Sequence, residues 1–237
     1  MLKLRYNSRM ERKIPFIEDE YYHLYTRGID KKIVFETKND YDRFMALLLL
    51  CNSADSVKFA NVIRKYRGEP SLKMFEMEKS TKRLVDIVAY ALMPNHLHLL
   101  VHENQAGGIS KFMLKLMTAY SMFFNTKYQR SGALFTRPFR SRHINSDEYL
   151  RWVFAYILLN PLELSAHDWK EKGIKDSVRA GHHLQTYPYS SYHDYFLGER
   201  PESHILAKDT LPFDSDSLRT LDELLACLSS NDHADAF

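Results

Sequence analysis

Two apolar runs separated by one short turn signal constrain this chain more than any other feature. VDIVAYALM (residues 85–93) and HLHLLVHE (residues 96–103) flank Pro94-Asn95. Both runs are rich in β-forming residues, and the Pro-Asn break between them predicts an antiparallel hairpin. Side chains two apart on a strand share a face. His96 and His98 therefore point one way, and Leu97 and Leu99 point the other way into a core. Two imidazoles so placed can chelate one metal ion. The same spacing also fits a pair of half-exposed surface histidines. His102 shares their face, but four strand steps span ~13 Å, so it cannot join the same ion and reads as structural.

The remaining elements follow from periodicity and punctuation. YYHLYTRG alternates and predicts a strand from Tyr22 to Thr26, closed by Gly28. Asn39-Asp40 is placed to cap a helix running through YDRFMALLLLC. Residues 57–66 suggest a helix, and residues 73–80 a strand or loop. After the Gly107-Gly108 break, Ser110 can cap a long helix to about Tyr128, with Phe112, Leu116, Ala119 and Phe123 at helical spacing. Ser131-Gly132 ends it, and a basic loop runs on to His143. Ser146-Asp147-Glu148 opens another helix, whose acidic residues complement the positive end of the dipole. Leu150, Val153, Phe154, Ile157 and Leu158 form its buried face, and Pro161 ends or kinks it. Residues 217–228 suggest a weak amphipathic helix.

On that later helix Tyr156 and Asn160 are four apart, so they lie ~40° apart around the axis and one turn apart along it. Tyr156 falls off the centre of the buried face and Asn160 borders it, so the pair can face a cleft floored by the sheet. A phenol is a plausible nucleophile toward phosphorus, although a resting pKa near ~10 means that it needs help from a neighbouring charge. The Asn carbonyl is a hard oxygen ligand. Spacing alone also fits a rim aromatic at Tyr156 and a C-terminal cap at Asn160.

Charge distribution narrows the partners. Residues 104–146 hold no Asp or Glu but seven cations: Lys111, Lys115, Lys127, Arg130, Arg137, Arg140 and Arg142. From Asp194 onward ten acidic residues face three basic ones, which suggests a solvated or self-shielding tail. Aromatics interleave with the cations in KYQRSGALFTRPFRSRH, a pattern suited to phosphates and unpaired bases. No apolar run approaches the ~20 residues of a membrane span. The basic start lacks the apolar stretch of a secretory signal. Two distant cysteines give no disulfide framework, so a reducing cytoplasm is expected.

ALMPNHLHLLV, FTRPFRSRHI and RWVFAYILLNPLE together resemble the IS200-like single-tyrosine (HUH) transposases. YYHLYTRGIDKKIVFETKNDYDRF resembles that family's opening strand and first helix, and YPYSSYHDY resembles the C-terminal motif of the branch associated with repeated extragenic palindromes (REP). The matches run in order over residues 20–197. The resemblance implies an α+β, ferredoxin-like antiparallel sheet with helices packed on it. It implies that His96, His98 and Asn160 bind a divalent metal, Mg²⁺ or Mn²⁺, and that Tyr156 is the nucleophile. By charge, Lys127, Arg130, Arg137, Arg140 and Arg142 are the DNA-contacting candidates. It further implies a single-stranded or hairpin DNA partner, nicking and rejoining through a 5′-phosphotyrosine, a monomer or homodimer, and a bacterial, nucleoid-associated location. The domain reading is a basic arm over residues 1–15, a transposase domain over 16–198 and an acidic extension over 199–237.

Tyr120 and Tyr128 are rival nucleophiles on the preceding helix. Their i+4 neighbours, Phe124 and Gly132, cannot bind metal, so Tyr156 is preferred. Two other functions compete: a hairpin-DNA binder that has lost catalysis, and a metal-dependent hydrolase that uses water while Tyr156 only lines the site.

Overall fold

The computed structural model describes residues 15–54, 82–218 and 220–229. The expectations for 57–66 and 73–80, and all but the last residue of the basic arm, lie outside them. Four strands form one antiparallel sheet: β1 (Tyr21–Arg27), β2 (Val85–Met93), β3 (His96–Glu103) and β4 (Arg140–Ile144), in the order β2-β3-β1-β4. Helix α1 (Lys38–Cys51) links β1 to β2, and helix α2 (Gly108–Lys127) links β3 to β4. That is the β-α-β-β-α-β, ferredoxin-like order expected from the sequence. Helix α3 (Asp147–Leu159) lies outside the repeat and packs on the opposite face of the sheet from α1 and α2.

The strand period of two divides the core. Tyr22, Leu24, Leu97, Leu99 and Val101 pack with α1 and α2 in one apolar cluster, whereas Leu100 and Ile144 pack with α3 in another. β3 sits between β1 and β2, with His96 opposite Met93 on one side and Arg27 on the other. A register shift between Ile87 and Ala89 turns the start of β2.

β2 is an edge of the sheet, but its free side is covered. Leu92 N–H donates to the Tyr189 carbonyl, Tyr90 N–H to Ser191 Oγ, and Ser191 N–H to the Tyr90 carbonyl. Buried Asp194 then takes two bonds of 2.8 Å from Arg200, which also reaches the Tyr90 hydroxyl. The YPYSSYHDY segment is thereby fixed along β2, and the unpaired strand groups that would invite aggregation are satisfied. The acidic stretch beyond residue 199 carries its own apolar anchors, because Ile205, Leu206, Phe213, Leu218 and Leu224 are buried. Leu224 lies on the short helix Leu221–Leu228, which is shorter than the span read from the sequence.

Several local readings change. The basic loop does not run to His143: its second half is β4, which pairs with β1 along the edge of the sheet. Arg140 and Arg142 are therefore strand residues. Polar side chains every second residue on an edge strand look like a loop in sequence. α1 is capped by Thr37 rather than Asn39, with Asp40 three residues later completing the capping box. Ser110 lies inside α2, whose start is instead held by Glu103, which accepts from the Ile109 N–H at 2.6 Å. Gly107 takes φ +80°, and a Cβ on Gly108 would come within 2.1 Å of the Leu84 carbonyl, so both glycines are needed there.

Asp40 is fully buried and ties the N-terminus of α1 to the C-terminus of α2. It accepts from Glu36 and Thr37 backbone N–H groups, from Lys127 Nζ at 2.6 Å and from the Tyr128 hydroxyl at 2.7 Å. Asp40→Ala is expected to cost about 2–4 kcal/mol in a urea unfolding measurement, because it removes a cap and two strong bonds at once. A loss below ~0.5 kcal/mol, the scale of an ordinary surface substitution, would show that solvent replaces those bonds.

Candidate active site

The face of the sheet that meets α3 carries a row of polar rings. His23 and Tyr25 come from β1, and His96 and His98 from β3, with Tyr25 directly opposite His98. His23 sits diagonally from His98, and its Nε2 lies 2.9 Å from His98 Nδ1. The His96 and His98 ring centroids are 5.0 Å apart with perpendicular planes. Neither His96, 7 % exposed, nor His98, 5 % exposed, is the half-exposed surface histidine that spacing allowed, and His23 is 0 % exposed.

Burial fixes their charge. Removal from water disfavours the imidazolium, so His23 is pushed down to about 3 and His96 to about 4, and His98 is driven well below the ordinary histidine range. All three are neutral at pH 7, the state a metal ligand requires. Neighbouring groups also select a tautomer. Asn95 Nδ2 donates to the Lys31 carbonyl, which leaves Asn95 Oδ1 to accept from His96 Nδ1–H at 2.6 Å. The lone pair of His96 is therefore on Nε2. When His98 Nδ1–H donates to His23 Nε2, the lone pair of His98 is likewise on Nε2.

α3 brings Tyr156 to this row. Ser146 Oγ accepts from the Tyr149 N–H and starts the helix, and its apolar stripe packs on the sheet. The Tyr156 ring stands edge-on to His98 with centroids 5.5 Å apart, and it stacks on Trp152 at 5.2 Å. The helical wheel put Tyr156 off the buried face, yet it is only 7 % exposed and Asn160 is 0 % exposed. The reason is that α3 beyond Arg151 is covered on both sides, by the sheet and by residues 169–228.

The α-helix ends at Leu159, and a 3₁₀ turn, Asn160–Leu164, follows with Pro161 near its start. Three residues per turn place Asn160 and Glu163 on one edge. Neither amide atom of Asn160 makes a hydrogen bond of good geometry. The group is still close enough to raise His96 and to lower Tyr156. Glu163 Oε2 lies 3.9 Å from His96 Nε2, while its Oε1 accepts from Lys170 Nζ. Lys170, on the short helix α4 (Trp169–Lys172), also donates to the Tyr156 hydroxyl at 3.0 Å. Burial raises the Tyr156 phenol above its ordinary value, and Lys170 opposes that rise.

The cationic candidates divide. Arg140 is opposite Tyr25 and Arg142 opposite His23, so both project on the imidazole face, where they are exposed. Arg27, opposite His96 and also exposed, joins them. Arg137 is exposed in the loop before β4. Lys127 and Arg130 are elsewhere: Lys127 is bound to Asp40 on the α1–α2 face, and Arg130 donates to the Ala133 carbonyl. Tyr120 also belongs to that other face. It is fully buried, with its hydroxyl donating to the Val34 carbonyl and its ionisation pushed up by burial. Tyr128 is held by Asp40 there too.

His23, Arg27, Glu163 and Lys170 were not singled out from the sequence. The alternation of YYHLYTR carries the signal for the first two, since His23 and Arg27 share a strand face. Glu163 is three residues past Asn160 at a Pro-induced turn. Nothing local marks Lys170, which reaches Tyr156 only through the loop after residue 164.

The family model described as "Transposase IS200 like" matches residues 49–159. No curated protein matches the chain. Among solved structures, one described as the REP-associated tyrosine transposase bound to a REP hairpin is similar at 13 % identity and a TM-score of 0.44, covering 86 % of this chain and 95 % of that one. Among the described residues, no helix is long and apolar enough to cross a membrane.

Stability should fall in acid because of the buried rings. The folded value of His23 lies below its unfolded value of about 6.5, so the unfolded chain takes up the proton first. Its contribution is complete above pH 6.5 and drains away toward about pH 3. Urea unfolding without divalent ions is expected to weaken by up to about 1.4 kcal/mol per pH unit per histidine in that window. His23→Gln should flatten the slope, and an unchanged slope would contradict burial of a neutral ring.

Proposed function

We propose that this chain, whose residues 49–159 match the family model described as "Transposase IS200 like", cuts and rejoins single-stranded DNA. Tyr156 is the nucleophile, and His96, His98 and Asn160 hold a divalent cation. The carrying observation is the convergence within one chain of the Tyr156 phenol and the His98 imidazole, 5.5 Å between ring centroids, on a face rimmed by exposed arginines.

The donor set fits a metal of the hard, weakly bound kind. Two buried neutral imidazoles, His96 with its lone pair on Nε2, and a fully buried amide that makes no hydrogen bond of good geometry are suitable ligands. No group of three His, Cys, Asp or Glu side chains able to hold a metal is found among the described residues. The set would be completed by the Asn160 carbonyl, water and the DNA phosphate, which suits Mg²⁺ or Mn²⁺ better than Zn²⁺. When bound, such a cation supplies positive charge to a non-bridging oxygen of the scissile phosphate.

The chain's own residues do the rest. Trp152 and His98 fix the Tyr156 ring, so its oxygen approaches phosphorus from one direction. Tyr156 Oη bonds to phosphorus, the bond to the 3′-oxygen breaks, and the phenol proton reaches that oxygen through water. The 5′-phosphotyrosine retains the phosphodiester energy, so a second 3′-hydroxyl can displace the tyrosine without ATP. Arg27, Arg140 and Arg142 neutralise the backbone on either side. A phenol recessed beside a sheet reaches an unpaired strand more readily than a duplex. The YPYSSYHDY segment's resemblance to the REP-associated branch supports sites flanked by hairpins.

Denaturing gels on a hairpin oligonucleotide with a single-stranded flank test this. Wild-type protein with Mn²⁺ is expected to form a covalent adduct, Tyr156→Phe none, and His96→Ala an adduct slowed by roughly 100-fold or more. A Tyr156→Phe variant that still cleaves would point to water as the nucleophile. Hairpin binding without any adduct would point to a protein that only grips DNA.

A further inference from the structure

Beyond the proposed ligands and nucleophile, one cation stands on the reacting atom itself. Lys170 Nζ donates to the Tyr156 hydroxyl at 3.0 Å and lies 4.4 Å from the centroid of the same ring. Glu163 holds it in place and is itself set against His96. Glu163 Oε1 accepts from the ammonium, and the other carboxylate oxygen faces His96 Nε2 at 3.9 Å. Glu163 is thus fixed by the 3₁₀ turn that also carries Asn160, and it ties α4 to the floor of the site.

We propose that Lys170 is a catalytic residue of the strand-transfer reaction, a cation that stabilises the Tyr156 oxygen whenever it carries charge, with Glu163 as the residue that positions it. This rests on the reading of Tyr156 as nucleophile. During attack the phenol loses its proton to water as the phosphorus–oxygen bond forms, and the departing 3′-oxygen gains one from water. The ammonium donates to the tyrosine oxygen while that oxygen is anionic and is not itself consumed. During rejoining a 3′-hydroxyl loses its proton to water as it attacks phosphorus, and the tyrosine oxygen leaves. The same ammonium then stabilises the leaving phenolate, which afterwards regains a proton from water. One fixed charge therefore serves both half-reactions, because both place negative charge on the same atom.

The geometry explains why a separate cation is useful. Tyr156 is buried among Trp152, His98 and His23, all neutral, and burial alone pushes its phenol up. The nearby charges that could lower it are few. Arg27 is opposite His96 at the end of β1 and exposed, whereas Lys170 is in hydrogen-bond contact. Its side chain is 36 % exposed and that of Glu163 is 26 % exposed, so the pair sits at the mouth of the site. A surface ion pair of this kind adds little stability, and its placement is better accounted for by the phenol it touches.

The test compares wild type with Lys170→Met, Lys170→Arg and Glu163→Gln on the hairpin oligonucleotide with Mn²⁺. Lys170→Met should slow single-turnover adduct formation roughly 10- to 100-fold while leaving the Kd for the oligonucleotide within about threefold. Lys170→Arg should recover most of the rate. Glu163→Gln should give an intermediate loss. A substrate with sulfur in place of the scissile 3′-oxygen, a better leaving group, should leave the forward defect of Lys170→Met in place, because the lysine acts on the nucleophile. In ¹³Cζ-tyrosine NMR without metal, the Tyr156 resonance, assigned by its loss in Tyr156→Phe, should ionise at higher pH in Lys170→Met. An unchanged adduct rate in Lys170→Met, or a defect abolished by the sulfur substrate, would overturn this role and leave Tyr156 as nucleophile intact. A wild-type protein that forms no adduct would overturn both.

Discussion

β3 is hydrogen-bonded on both edges and covered on both faces, and the whole molecule depends on it. A strand in that position has no freedom of register: a slip of one residue would move His96 and His98 into the apolar cluster and Leu97 and Leu99 into the site. The Pro94-Asn95 turn fixes the register against β2, and the pairing from Tyr21–His102 to Arg27–His96 fixes it against β1. The polar rings can therefore be buried without losing their positions. Their neighbours are determined by the same ladder that builds the core.

Burial then sets the chemistry of this row. Three histidines removed from water stay neutral, so they can offer lone pairs but not positive charge. The phenol between them is similarly held protonated. Positive charge is supplied at two distances. Lys170 is in contact with the tyrosine oxygen, and Arg27, Arg140 and Arg142 form an exposed outer rim. In a low-dielectric setting the near charge acts strongly on one atom, while the rim, screened by solvent, acts weakly and on no single atom.

Much of this could be read directly from the chain, for reasons specific to the residues. The hairpin was legible because VDIVAYALM and HLHLLVHE are strongly β-forming and the break between them is short. α3 was legible through Ser146 and its acidic first turn, and the His-x-His face through the two-residue period. The edge strand β4 was not, because Arg140-Ser141-Arg142-His143 offers no apolar alternation, and only pairing with β1 makes it a strand. Nor was the burial of Tyr156: a helical wheel shows one core, and this helix has cover on two sides.

The sequence by itself determined which residues alternate, where the chain reverses and which side chains carry chemistry, since those depend on covalent spacing and local conformational preference. Only the tertiary structure decided which of those side chains meet. It brought His23 to His98, laid the 189–191 segment along β2 and set Lys170 on Tyr156 across fourteen residues of chain. Such meetings depend on how two sheet faces and several helices share space, and no stretch of sequence short enough to have a period encodes that.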